Sequence, residues 1–279
     1  MEGLDQKFDL VIGPENNSSR YWKDLWAYRE LFYFLAWRDI LVRYKQTVIG
    51  IAWAVLRPVL TMLVFTVVFG RLANLPPEGG APYAVMVFAA LLPWQLFANA
   101  LTETSNSLIA NAGMISKVYF PRLIVPASAV IVGLVDFAIS FGILGAIMVW
   151  FQFVPGVRIL MLPLFLLVAL MAAMGAGFWL AALNVKYRDF RYIVPFMVQF
   201  GLYVSPVGFS SSIVPEKWRL LYSLNPMVGV IDGFRWAILG EGVAFYWPGF
   251  ALSLGLTLIL FVFGLHYFRS TERSFADVI

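Results

Sequence analysis

The sequence predicts an all-α polytopic membrane protein: six transmembrane helices, an N-terminal interfacial amphipathic helix, and re-entrant helices on the outer side between the fifth and sixth spans. Three observations support this. Hydrophobic residues make up 61% of the 279 positions and charged residues only 13%, too little polar surface to coat a water-soluble body of that size. Mean hydropathy is +0.80, and the apolar residues gather into runs near the ~20 residues that a helix needs to cross a hydrocarbon core of roughly 30 Å. Those runs are continuous, whereas barrel strands alternate lipid-facing and lumen-facing residues over ~10 positions.

Residues 1–48 form a cytoplasmic N-terminal segment. From Arg20 to Ile40, helical spacing gathers Trp22, Leu25, Trp26, Phe32, Tyr33, Ala36 and Ile40 on one face, with Arg20, Lys23, Asp24, Glu30 and Arg38 opposite. This predicts a helix lying in the interface, where indole and phenol rings favour the headgroup level and basic side chains favour anionic lipid. It is either a simple anchor or a guide for a phosphate-bearing lipid, with Trp37 at the interface and Arg38, Arg43 and Lys45 as the phosphate contacts.

The membrane domain is expected over residues 49–268, with spans at 49–69, 82–101, 123–151, 159–183, 193–212 and 245–268. Seven Lys or Arg precede the first span over 48 residues, so it reads as a retained helix and not a cleaved signal. The third is long enough to tilt or to begin outside the hydrocarbon. Pro195, Gly201, Pro206 and Gly208 break the fifth. Residues 213–242 are too interrupted to span and too apolar and aromatic to be a solvated loop, so they should dip partway into the membrane against protein. Residues 269–279 form a cytoplasmic tail.

Orientation follows from the basic residues, because Lys and Arg resist translocation. Both termini inside places Lys7, Arg20, Lys23, Arg29, Arg38, Arg43, Lys45, Lys117, Arg122, Lys186, Arg188, Arg191, Arg269 and Arg273 in the cytoplasm, against Arg71, Arg158, Lys217, Arg219 and Arg235 outside. This bias explains the pI near 9.3 without nucleic acid as a partner.

No nucleotide-binding G-x-x-x-x-G-K-[ST] loop is present, so this chain is not expected to hydrolyse ATP, and no motif for a metal or catalytic centre stands in its place. Zero cysteines exclude disulfides and thiolate sites. The single histidine, His266, reads as an interfacial residue, and Gly175-Ala176-Gly177 as a close helix contact. Two charges inside spans, Arg57 and Asp136, each need protein or water nearby. Arg57 either pairs with Asp136 or snorkels toward the cytoplasm.

Residues 102–120 begin polar and become mixed; 107–115 are apolar enough for a short docking helix. With the basic, aromatic stretch 184–192 they either offer a surface to a soluble partner or are ordinary positive-inside loops.

Arg43-Tyr44-Lys45-Gln46-Thr47, followed by Gly50-Ile51-Ala52-Trp53-Ala54-Val55-Leu56-Arg57-Pro58, resembles the start of the first span in ABC-2-type exporter permeases for lipid-linked polysaccharides and teichoic acids. So do Leu92-Pro93-Trp94, Lys117-Val118-Tyr119-Phe120-Pro121-Arg122, Arg188-Asp189-Phe190, Ser205-Pro206 and Leu224-Asn225-Pro226, in order from about Trp22 to His266. Ser116 departs from the pattern, standing where a second lysine often precedes Lys117. The resemblance implies a non-enzymatic permease of the bacterial inner membrane that exports O-antigen or a related undecaprenyl-linked glycan. Its partners would be a second copy of itself and two copies of a separate ATPase that binds the ATP and Mg; the chain itself needs no cofactor. It implies ATPase coupling through Ser107, Asn111, Met114, Ile115, Lys117, Arg188 and Asp189, and an outer gate at Trp218, Tyr222, Asn225, Pro226 and Arg235. Arg57, Phe65, Phe69, Phe200 and Tyr203 are expected along the channel, because aromatic faces stack on sugars without reading one sugar in particular. The rival within the family is a permease for a small hydrophobic drug or haem. A membrane-embedded glycosyltransferase would need converging carboxylates that the sequence does not show.

Overall fold

The computed structural model describes residues 18–45, 50–187, 189–272 and 275. Its described elements are helical, and five helices are long and apolar enough to cross a membrane. Arg188 and Arg273, the Gln46-Thr47 pair and residues 1–17 lie outside the described residues.

The N-terminal amphipathic stretch forms two helices, α1 (Ser18–Ala27) and α2 (Arg29–Lys45), meeting at Tyr28. Its predicted single apolar face divides in two. Tyr21, Leu25, Tyr28, Leu31, Phe32 and the buried Leu35 pack on the protein, whereas Trp22, Trp26, Tyr33 and Trp37 stay exposed. The spacing explains the division: a helix against a bundle buries one stripe at steps of three and four and leaves the next stripe to lipid or water.

Helix α3 (Gly50–Phe65) continues through a π-helical segment, Thr66–Leu72. Helix α4 (Tyr83–Ala110) runs nine residues beyond the expected end of the second span, so 102–110 are helix and not loop. A single turn, α5 (Ala112–Ile115), leads to α6 (Ile124–Trp150), then α7 (Leu162–Lys186). α4 is the centre of the bundle, with 78% of its apolar window buried against 17% for the α3 span. It packs on both α6 and α7, and α7 packs on the last helix, α11 (Trp247–Thr271).

The Gly175-Ala176-Gly177 expectation is borne out. A methyl added at Gly175 would stand 2.7 Å from the Phe261 backbone and one at Gly177 2.6 Å from the Thr104 side chain, while one at Gly264 would strike the Gly175 carbonyl. Small residues here let the helix axes approach, which is how apolar helices associate where lipid removes the hydrophobic drive.

The fifth expected span is where structure and expectation part. α8 (Phe190–Val204) has 15 residues, about 22 Å, and stops at Ser205, whose backbone is extended (φ −82°, ψ 152°). Pro206 disfavours helical geometry at the residue before it. The chain then turns through 205–215 into two shorter helices, α9 (Glu216–Tyr222) and α10 (Pro226–Leu239), before α11.

The two groups of basic residues separate to opposite ends. Arg122 donates to the Glu272 carbonyl and Arg269 lies 4.5 Å over the Tyr21 ring, beside a core of Leu108, Ile115, Phe178, Phe268 and Phe275. At the other end Arg158 donates to the Gly240 carbonyl (3.0 Å) and Arg219 lies 4.7 Å over Tyr246.

Candidate functional site

A cleft of about 740 Å³ opens between α2, α3, α4 and α6. Each helix contributes one face at helical spacing: Asp39, Val42 and Arg43 from α2; Trp53, Ala54, Arg57, Pro58 and Thr61 from α3; Gln95, Asn99 and Glu103 from α4; Ala129, Val132, Asp136 and Ser140 from α6. The α4 stripe repeats every four residues inside an otherwise apolar helix. That periodicity is visible in the sequence and marks this site.

The expected pairing of Arg57 with Asp136 is not what the structure shows. Asp136, 13% exposed, meets Arg43 at 2.6 Å, accepts the Tyr44 hydroxyl and accepts from the Asn99 amide at 3.3 Å. Arg43 also reaches Glu103 at 3.3 Å. Asp136 stands at the middle of α6, 12 residues from its start and 14 from its end, as expected. Its contacts set it beside Asn99 and, through Arg43, Glu103 of α4. α2 packs along α6, and Arg38 joins Asp39 (2.7 Å) and the Asn111 side chain (2.8 Å) more than one turn before Arg43. Two of the expected phosphate contacts, Arg38 and Arg43, are therefore ion-paired within the chain, while Lys45 and Trp37 are exposed.

At the opposite end the broken fifth span is clamped. Three successive carbonyls of its non-helical stretch are each captured by a side chain: Val207 by Arg235 (2.9 Å), Gly208 by the Tyr83 hydroxyl, and Phe209 by Arg235 (2.7 Å). Irregular backbone in lipid must satisfy its carbonyls inside the protein, and a guanidinium fork can serve two at once. Arg235 is 0% exposed, and Glu78 lies 3.9 Å away. Glu78, in the loop before α4, also accepts from Ser210; its burial holds its carboxyl above the ordinary range, opposed by Arg235 and Arg219. Ser211 donates to Asp232 (2.7 Å). Asn225 caps α10 by accepting from the Met227 amide (3.0 Å), donates to Ser205 (2.9 Å), and is followed by Pro226 at the first helical turn. Tyr222 donates to the Val204 carbonyl (2.7 Å), and Trp218 is exposed. The expected gate residues thus converge on the loop after α8, with Trp218 left outside the cluster.

The expected coupling residues scatter by burial. Ser107 is buried in α4, donating to the Thr104 carbonyl; Ile115 is buried in the core shared with Leu108, Phe178 and Phe268; Asn111 is engaged by Arg38. Met114 is half-buried, and the exposed surface is Ser116, Lys117, Val118 and Tyr119, the last 66% exposed. The reason is the longer α4, which carries 102–110 into the bundle. Asp189 is exposed. Among the channel aromatics, Phe65 is 5% exposed and stacks on Tyr203 (centroids 6.3 Å apart, planes at 13°), and Phe69 packs on Phe65. A methyl at Gly208 would meet both Phe69 and Phe65, at 2.6 and 2.7 Å. Phe200 and Tyr203 present open faces on α8.

The sequence resembles permeases along nearly its whole length. It is 26% identical over 243 residues to the O-antigen export system permease protein RfbA of Klebsiella pneumoniae, covering 87% of this chain and 92% of that one. It is 26% identical over 261 residues to the protein of the same name from Myxococcus xanthus, covering 92% and 98%. The polysialic acid transport protein KpsM of Escherichia coli is 22% identical over 245 residues, covering 85% and 92%. The family described as ABC-2 type transporter matches residues 30–239. With more than half of its 279 residues inside that match, the chain belongs to the ABC-2 type transporter family.

Proposed function

We propose that this chain is the permease subunit of an ABC exporter that moves a lipid-linked polysaccharide, an O-antigen or related cell-surface glycan, across the bacterial inner membrane. The observation that carries the reading is the end-to-end similarity to permeases named for O-antigen and polysialic acid export. The chain carries no nucleotide-binding loop, so a separate ATPase supplies the energy. Two copies of the permease flank the path, and two ATPase subunits dock on the end that carries α5.

In this reading both termini are cytoplasmic, α8 and the segment after it complete a sixth crossing, and α9 and α10 are the re-entrant outer gate. The ATPase contacts are the exposed residues 116–119 with Met114 and Asp189; Ser107 and Ile115 support that surface from beneath. ATP binding draws the ATPase halves together, moves this surface and biases a closed-to-open equilibrium. Phe200 and Tyr203 line the path, with Phe65 behind Tyr203. Trp22, Trp26, Tyr33 and Trp37 hold α1 and α2 at the headgroup level.

Reconstitution tests this. The permease and its co-expressed ATPase, in liposomes loaded with undecaprenyl-linked glycan, should move the glycan to the side opposite the ATPase in an ATP-dependent way, scored by lectin. ATPase stimulation by hydrophobic drugs with no glycan movement would select the drug permease instead.

A further inference from the structure

The guanidinium groups at the level of the cleft are not equivalent. Arg38 is paired with Asp39 at 2.7 Å, and Arg43 with Asp136 at 2.6 Å and Glu103 at 3.3 Å. Arg57 faces the same cleft from α3 with no side-chain hydrogen bond or ion pair among the described residues. Trp53, one turn before it, and Gln95, across the cleft on α4, likewise keep their side-chain N–H groups free and accessible.

We propose that Arg57, Gln95 and Trp53 form an anion site that takes the phosphate of a lipid headgroup. The ligand's identity as the polymer carrier rests on the exporter reading; the site does not. Arg57 and Trp53 offer donors alone, the Gln95 amide can turn its NH2 to the cleft, and the carboxylates of the cleft already face guanidinium groups, so the charge left without a partner is that of Arg57, which suits an acceptor anion. A planar guanidinium fork matches phosphate geometry, and an amide and an indole N–H add neutral donors. Three arginines balance Asp39, Glu103 and Asp136 in charge, so attraction comes from the placement of Arg57 and not from a net positive field. The outer face of α3, with Leu56, Leu60 and Leu63 exposed, offers an apolar wall for the attached chain.

The test uses the full chain in phosphatidylcholine nanodiscs, titrated with undecaprenyl diphosphate, phosphatidylglycerol or uncharged undecaprenol, with bound lipid counted by native mass spectrometry. The diphosphate should bind and undecaprenol should not. Arg57→Gln should weaken binding at least about tenfold, the loss of one charge-assisted hydrogen-bonding group, and Arg57→Lys should restore part of it. If Arg57→Gln does not give monodisperse protein, Gln95→Ala and Trp53→Phe carry the test, each expected to weaken binding about threefold or more. Preference for the diphosphate assigns the site to the polymer carrier, and equal saturation by phosphatidylglycerol assigns it to bulk anionic headgroups; both support a phosphate site. Equal binding of undecaprenol, or binding by a well-folded Arg57→Gln variant within twofold of the parent, overturns it. Glycan export by a parent protein that binds neither phosphate lipid removes the site and leaves the exporter reading. Diphosphate binding without glycan export does the reverse.

Discussion

Arg43 and Asp136 meet at 2.6 Å across the interface between α2 and α6, joining the N-terminal helix to a membrane-spanning one by an ion pair with a little-exposed carboxylate. Removing one partner leaves the other poorly solvated, which costs more than the pair itself contributes. Arg43→Ala or Asp136→Ala should destabilise the purified protein by about 1–3 kcal/mol, a range lowered because the arginine is about one-third exposed. The double variant should lose less than the sum. Thermal unfolding in one detergent, run as a double-mutant cycle, measures the difference, and strict additivity would remove the coupling.

Arg235 is expected to be the costliest single position around the loop after α8. Arg235→Met frees the Val207 and Phe209 carbonyls and removes the counter-charge of Glu78, with an expected loss of about 3 kcal/mol or more. Arg235→Lys cannot reproduce the fork and should recover only part of it. Proteolysis confined to residues near 205–213 in the variants would show that the clamp is what failed.

Glycines divide sharply by position. Gly175→Ala and Gly264→Ala press a methyl into backbone that has no flexible end to yield, so each should lower stability by about 1–3 kcal/mol. Gly142→Ala and Gly145→Ala meet nothing within 4 Å and should be neutral or slightly stabilising. Unfolding midpoints of the four variants decide the matter.

At the end that carries α5, surface and support come apart experimentally. Lys117→Ala and Tyr119→Ala should reduce co-purification with the ATPase about tenfold while leaving the unfolding temperature unchanged, as expected when exposed contact residues are truncated. Ile115→Ala should lower the unfolding temperature itself, because it opens a cavity in the core shared by Leu108 and Phe268.

Most of the bundle was legible from apolar run length alone, since lipid leaves helices few alternatives. What the runs concealed were ends and partners. Thr102–Ala110 is polar enough to look like a loop, yet the buried Thr104, Ser105 and Ser107 continue α4 inside the protein. The polar stripe of Gln95, Asn99 and Glu103 was readable by spacing. The partner of Arg43 was not, because a contact 93 residues distant leaves no local pattern.

The glycine contact between α7 and α11 separates what can move from what cannot. Backbones that touch directly have no side-chain layer through which to slide, so α7 and α11 are expected to behave as one rigid body. The loosely buried α3 and the short, clamped α8 have no such lock, and they carry Arg57, Phe65, Phe200 and Tyr203. Displacing α8 from this body would require a hinge at the extended Ser205 or the loss of the two hydrogen bonds by which Arg235 holds the Val207 and Phe209 carbonyls.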